Sequence, residues 1–168
     1  VPLGQGTWQP HPAADVLANQ YGDSKDKSLL LAAMLGSEHL NAAVALVSVA
    51  RENEPVLPIP SWFGKVVTVV TDPPRGDVWL DTMPEVGSPG VLDVSLRDQS
   101  ALVIPTLGDS VLRRTPVDLP FPASARFEAN GTLSAEGVLK ANVHLTLRGD
   151  EELSLRQSLH SAGSARWD

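Results

Sequence analysis

Cysteine is absent from the 168 residues, and that absence removes disulfides, thiolate metal sites and cysteine-based catalysis from the chain as it stands. It leaves the redox compartment open. A basic excess is missing too: the formal charge is −7 and the acidic residues are scattered along the chain, so there is no electrostatic footprint for nucleic acid. A peptide, a protein or a small molecule is the better-matched partner. Long apolar runs are lacking as well. None approaches the roughly 18 residues that a membrane span needs, so this stretch is not expected to cross a membrane. The start at Val1 carries no signal-peptide pattern and no Met, which predicts a fragment whose upstream domains and targeting signals are missing. Metal-ligand spacing is absent around His11, His39, His144 and His160. No cofactor or metal is expected, and each histidine reads as solvated or locally hydrogen-bonded. Internal repeats and low-complexity tracts are not found.

What is present is the composition of a globular protein, 42% hydrophobic, long enough for one domain or a domain plus part of a second. Residues 1–12 are rich in Gly and Pro and form an irregular lead-in. Pro12 suits the first turn of a short helix ending near Gln20, because proline lacks only an N–H that would be unpaired there. A second helix is predicted from Ser24 to about Leu35, apolar almost all round after its first turn and therefore central and buried. Residues 42–49 read as a strand covered on both faces. Residues 66–71 and 78–80 form a pair of strands around Asp72-Pro-Pro-Arg-Gly76, and residues 101–104 form another strand.

Three prolines between Pro116 and Pro122 then mark a linker. Beyond it, Phe127 to Ala129 leads into Asn130-Gly131, a strong hairpin-turn signal that also accounts for the glycosylation-like Asn130-Gly131-Thr132. After it Leu139, Ala141, Val143, Leu145 and Leu147 alternate with polar residues, the pattern of a strand with one wet face. Asp150 is placed to cap a last helix with Leu153, Leu155 and Leu159 on its apolar side. The order of elements predicts an α+β fold: a buried helix on an antiparallel sheet over residues 1–115, and the start of a β-rich domain over residues 120–168.

Tyr21-Gly-Asp-Ser-Lys-Asp-Lys27 is the most informative motif. It opens a helix, so Ser24 lies where unpaired N–H groups and the macrodipole stabilise an anion and lower a cysteine pKa into the nucleophilic range. A serine hydroxyl gains far too little from that field. Together with Gln9-Pro-His-Pro-Ala-Ala-Asp-Val-Leu17 before it, the motif resembles the bacterial transglutaminase-like family, which typically has Gly-Asp-Cys-Lys-Asp-Lys here. Ser61-Trp-Phe-Gly-Lys-Val66 is similar to the family's Phe-Asn/Asp-His-Val, and Val78-Trp-Leu-Asp-Thr82 to its Trp-Leu-Asp-Pro/Thr. Residues 96–104 and 149–153 also resemble these proteins. The resemblance covers most of the chain. It implies a papain-like core with triad positions Ser24, Lys65 and Asp81, in an exported or cell-envelope protein with flanking β-domains of unknown function.

In that triad, cysteine has become Ser24 and histidine has become Lys65; only Asp81 is kept. A serine needs a neutral base beside it, whereas a lysine near a carboxylate stays charged unless heavily desolvated. An ion pair between Lys65 and Asp81 is expected. Loss of both proton-handling groups implies a pseudoenzyme, a catalytically inactive domain serving as a binding or scaffolding module. Two alternatives stay open: a serine–lysine hydrolase or acyltransferase using Ser24 and Lys65, and a Cys→Ser form of an active cysteine peptidase or transglutaminase. Asp23 and Trp62 are candidate binding residues. Lys25, Asp26 and Lys27 read as capping or solvated charges, and Trp8 and Trp79 as packing.

Overall fold

A computed structural model describes residues 9–48, 62–72 and 76–163. The chain divides into two compact units, residues 1–118 and 119–168. It is an α+β protein with antiparallel strand pairing throughout its described sheets.

Unit 1 contains α1 (Ala13–Asn19), α2 (Ser24–Ser37), β1 (Ala42–Ser48), β2 (Phe63–Val70), β3 (Val78–Leu80), β4 (Ser100–Ile104) and β5 (Val111–Arg114). The strands form one sheet in the order β3-β2-β1-β4-β5. Alternation along each strand separates two faces. Val66 and Thr68 belong to one, where α2 packs: Thr68 Oγ1 donates to the Ser28 carbonyl at 2.9 Å, and Ser28 Oγ donates to the Val66 carbonyl at 3.2 Å. The principal apolar core lies on the other face. There Ala45, Val47, Val67, Val69 and Trp79 are buried with Leu92 and Leu96 from the segment between β3 and β4.

This distribution corrects three expectations. The second helix is not buried along its length: its buried residues are Ser24, Lys25, Asp26 and Ser28, while Met34 is 53% exposed. A helix that is apolar all round can offer only one side to a single sheet layer, so part of its apolar surface remains in solvent. β1 is likewise buried on one face and half-buried on the other. Finally, β2 begins at Phe63 rather than near Val66, which brings Lys65 inside the strand. β5 was not foreseen. It is a four-residue edge strand exposed at every position, too short to produce a legible alternation.

Unit 2 is a hairpin of β6 (Ser124–Leu133) and β7 (Leu139–Arg148) followed by α3 (Asp150–Ala162). Asn130-Gly131 is not its turn. Both residues lie within β6, paired with Asn142 and Ala141. The chain reverses at residues 134–138, where the Ser134 amide donates to the Val138 carbonyl at 3.0 Å, the Val138 amide donates to Ser134 Oγ at 3.3 Å, and Gly137 takes φ +83°. Gly131 answers a different need. A Cβ there would stand 2.6 Å from the Lys140 carbonyl oxygen, so glycine is required by the close approach of β7. Nor does Asp150 cap α3. It is the first helical residue, after Gly149 at φ +96°, and the three acidic residues of that first turn face the positive end of the helix dipole. The alternation read in β7 holds, but both its faces are largely exposed.

Candidate functional site

The N-terminus of α2 is built from its own sequence. Asp23 stands before the helix in an extended conformation, and its Oδ1 accepts from the amides of Lys25 at 3.1 Å and Asp26 at 3.2 Å. Asp26 reaches back, its Oδ2 accepting from the Asp23 amide at 3.1 Å. This is a reciprocal capping box with Asp where Glu is more usual. Gly22 lets it close, since a Cβ there would lie 2.7 Å from the Asp26 Cβ. Lys25 Nζ pairs with the second oxygen of Asp23, within a buried pocket of charge.

His11 completes the cluster. Its amide donates to Asp26 Oδ1 at 2.8 Å, and its Nδ1 lies 3.1 Å from Asp26 Oδ2. Asp26 is 2% exposed. Burial alone would raise its pKa, but the amide bonds from His11 and Asp23, the His11 ring and the Lys25 charge outweigh it and hold the carboxyl below the usual carboxylate range. The link between His11 and Asp26, fifteen residues apart, had no short-range signal in the sequence.

Ser24 is buried as the first residue of α2. Lys65 is half-buried on β2, and the pairing of Lys65 with Val47 is regular, the irregularity falling between Val47 and Ser48. Alternation therefore puts Lys65 on the face of Val67 and Val69, opposite the face that receives α2. Asp81 follows β3 directly. Desolvation raises its pKa above the ordinary value, despite a hydrogen bond from the Met83 amide at 2.9 Å and the Lys65 charge, and with the Asp93 charge adding to the rise. Lys65 also acts on Asp93, whose pKa is lowered mainly by the Ser95 hydroxyl and amide.

The structure thus brings Lys65 into the field of Asp81 and Asp93. The expected ion pair is not formed: no contact within salt-bridge distance joins Lys65 to Asp81 among the described residues. Lys65 lies two residues before Val67, the position that the β2–β3 register extrapolates to opposite Asp81, so the two are diagonal on one face. Ser24 has no hydrogen bond to either of them. One turn along the helix, Ser28 Oγ lies 3.3 Å from Thr82 Oγ1, next in sequence to Asp81.

A cavity of about 760 Å³ opens between α2 and the sheet. Leu29, Ala32, Val44, Leu46 and Ile104 give it an apolar wall, and Lys25 stands on its boundary. Ser24, Lys65, Asp81, Asp23 and Trp62 do not line it. Trp62 is half-buried just ahead of β2; Trp79 is 3% exposed in the core, in line with packing; Trp8 lies outside the described residues. Among the described residues no group of three or more metal-ligating side chains converges, and no helix is long and apolar enough to cross a membrane. Comparison with family models, with curated proteins and with solved structures gave no match.

Proposed function

We propose that this chain is a catalytically inactive, transglutaminase-like binding module of a larger exported or cell-envelope protein, receiving a peptide or protein segment in the cleft beside α2. The observation that carries this reading is the separation of nucleophile and base: Ser24 opens the helix that packs on the Val66 and Thr68 face of the sheet, while Lys65, the only residue the resemblance offers as its base, belongs to the opposite face, and no hydrogen bond joins them. An acyl-transfer reaction needs a nucleophile and a base in contact, whereas a cavity with apolar walls and a charged boundary needs neither to hold a ligand.

The test is turnover. The protein is incubated with panels of amide and ester substrates and, separately, with an acyl-phosphonate probe. The expected result is no hydrolysis or transfer above background, no labelling of Ser24, and the same baseline for Ser24→Ala. Turnover that disappears in Ser24→Ala, or covalent labelling of Ser24, would replace this reading with the serine–lysine hydrolase.

A further inference from the structure

The β6–β7 hairpin carries a surface with no part in the α2 site, and its register sorts its residues by chemistry. Pairs such as Arg126–Thr146, Glu128–His144 and Thr132–Lys140 share one face. The five intervening pairs share the other, and none of them includes a polar side chain. That apolar face lies open: Phe127 is 68% exposed, Leu133 71% and Val143 56%. A lone two-stranded hairpin is marginal in water and gains independent stability only when its apolar face is covered.

The structure assigns this face to a second copy of the same chain, packed hairpin on hairpin about a two-fold axis. The axis lies between the sheets and across the strands. Such an axis turns each strand end for end over its own copy, so the middle pair, Ala129 and Val143, meets itself. Along β6 the face then matches large to small: Phe127 lies over Gly131 of the second copy, and Leu133 over Ala125. On β7, Leu145 lies over Ala141, while at the ends Leu139 lies over Leu147, which its own chain already half-buries. A sheet-on-sheet core needs this alternation of size, because facing layers interdigitate across about 10 Å. With no charge on either face, like charges do not oppose each other at any layer.

The area is sufficient. Two ten-residue strands make a face of roughly 34 by 10 Å, exposing on the order of 600 Å² of side-chain relief. Two copies would bury on the order of 1,200 Å², which enters the range of specific interfaces.

The absence of cysteine makes the test clean, because a thiol introduced by substitution is unique. Sedimentation of the full chain from low micromolar to several hundred micromolar is expected to show a monomer–dimer equilibrium. Val143→Glu, which puts a carboxylate in the dry centre, is expected to weaken it about tenfold or more. Thr146→Glu, on the polar face, is expected to leave it unchanged. Val143→Cys is expected to cross-link to its own copy with a short bifunctional thiol reagent, and Thr146→Cys is not. A monomer at every concentration overturns the proposal, as it would if further strands of a longer chain cover this face. So does a dimer that tolerates Val143→Glu and yields no cross-link at Val143→Cys. If Val143→Glu loses its β-sheet signal in circular dichroism, the cross-link decides alone.

Discussion

At the residue scale, two carboxylates drawn out of water respond to acid with opposite signs. Asp26 has its folded pKa lowered by its amide donors and His11, against the pull of burial. Its contribution to stability is present above the unfolded value and is lost as pH falls through the folded one. Asp81 has its folded pKa raised, mainly by desolvation. In its ionised form it opposes folding, and that penalty is relieved as pH falls through its raised folded value. Asp81→Asn is therefore expected to raise the urea midpoint at pH 7, since an amide oxygen still accepts from Met83, and the advantage is expected to shrink as acid protonates the native carboxyl. A constant advantage across the pH range would show that ionisation is not its cause. Lys65, acting from a diagonal position, reduces that cost only in part. From the sequence Asp23 reads as a binding residue and Asp26 as a capping or solvated charge; that the two close a capping box is seen only in the structure, as is the arrival of His11, fifteen residues from its partner.

At the element scale, hydrophobic pattern identified which segments are helix and strand better than it identified what covers them. α2 was legible from its apolar run. Its burial was inverted: the charged first turn is inside and the apolar second half is half in solvent, because Ser28, Val66 and Thr68 tether the N-terminal half to the sheet. Asn130-Gly131 misdirected the hairpin because the same dipeptide serves a tight turn or a close approach between strands, and only the partner strand distinguishes them. Gly131→Val follows from this. The added side chain meets the Lys140 carbonyl and the Ala141 side chain, whose Cβ lies 2.7 Å from the new Cβ, and a cost of about 1–3 kcal/mol is expected for such overpacking. Amide exchange should quicken along β6 and β7 and stay unchanged along β1. Unchanged protection in the hairpin would mean that the strands part there at little cost.

At the scale of the whole molecule, the two units differ in how they are held. Unit 1 has a sheet with its core on one face and a helix on the other. Unit 2 has a hairpin exposed on both faces and an amphipathic helix, with Leu153 as its buried apolar residue. The boundary falls at residues 118–119, inside the Pro116 to Pro122 linker that composition had marked. A chain ending at Asp118 is therefore expected to keep the slow amide exchange of β1, the strand paired on both edges by β2 and β4. Fast exchange throughout that shortened chain would show that unit 1 depends on the rest.

The amino-acid sequence by itself determined the α+β class, the helix beginning at Ser24 and most of the strands, because propensity and alternation act over a few neighbouring residues. It also determined the absence of a thiol nucleophile, which is a matter of residue identity alone. Tertiary structure alone decided which face of the sheet holds the core, that Lys65 meets the fields of Asp81 and Asp93 without contact, that His11 closes on Asp26, and that the apolar pairs of the hairpin share one exposed face. Those outcomes depend on strand register and on segments brought together from a distance, and no local pattern encodes either.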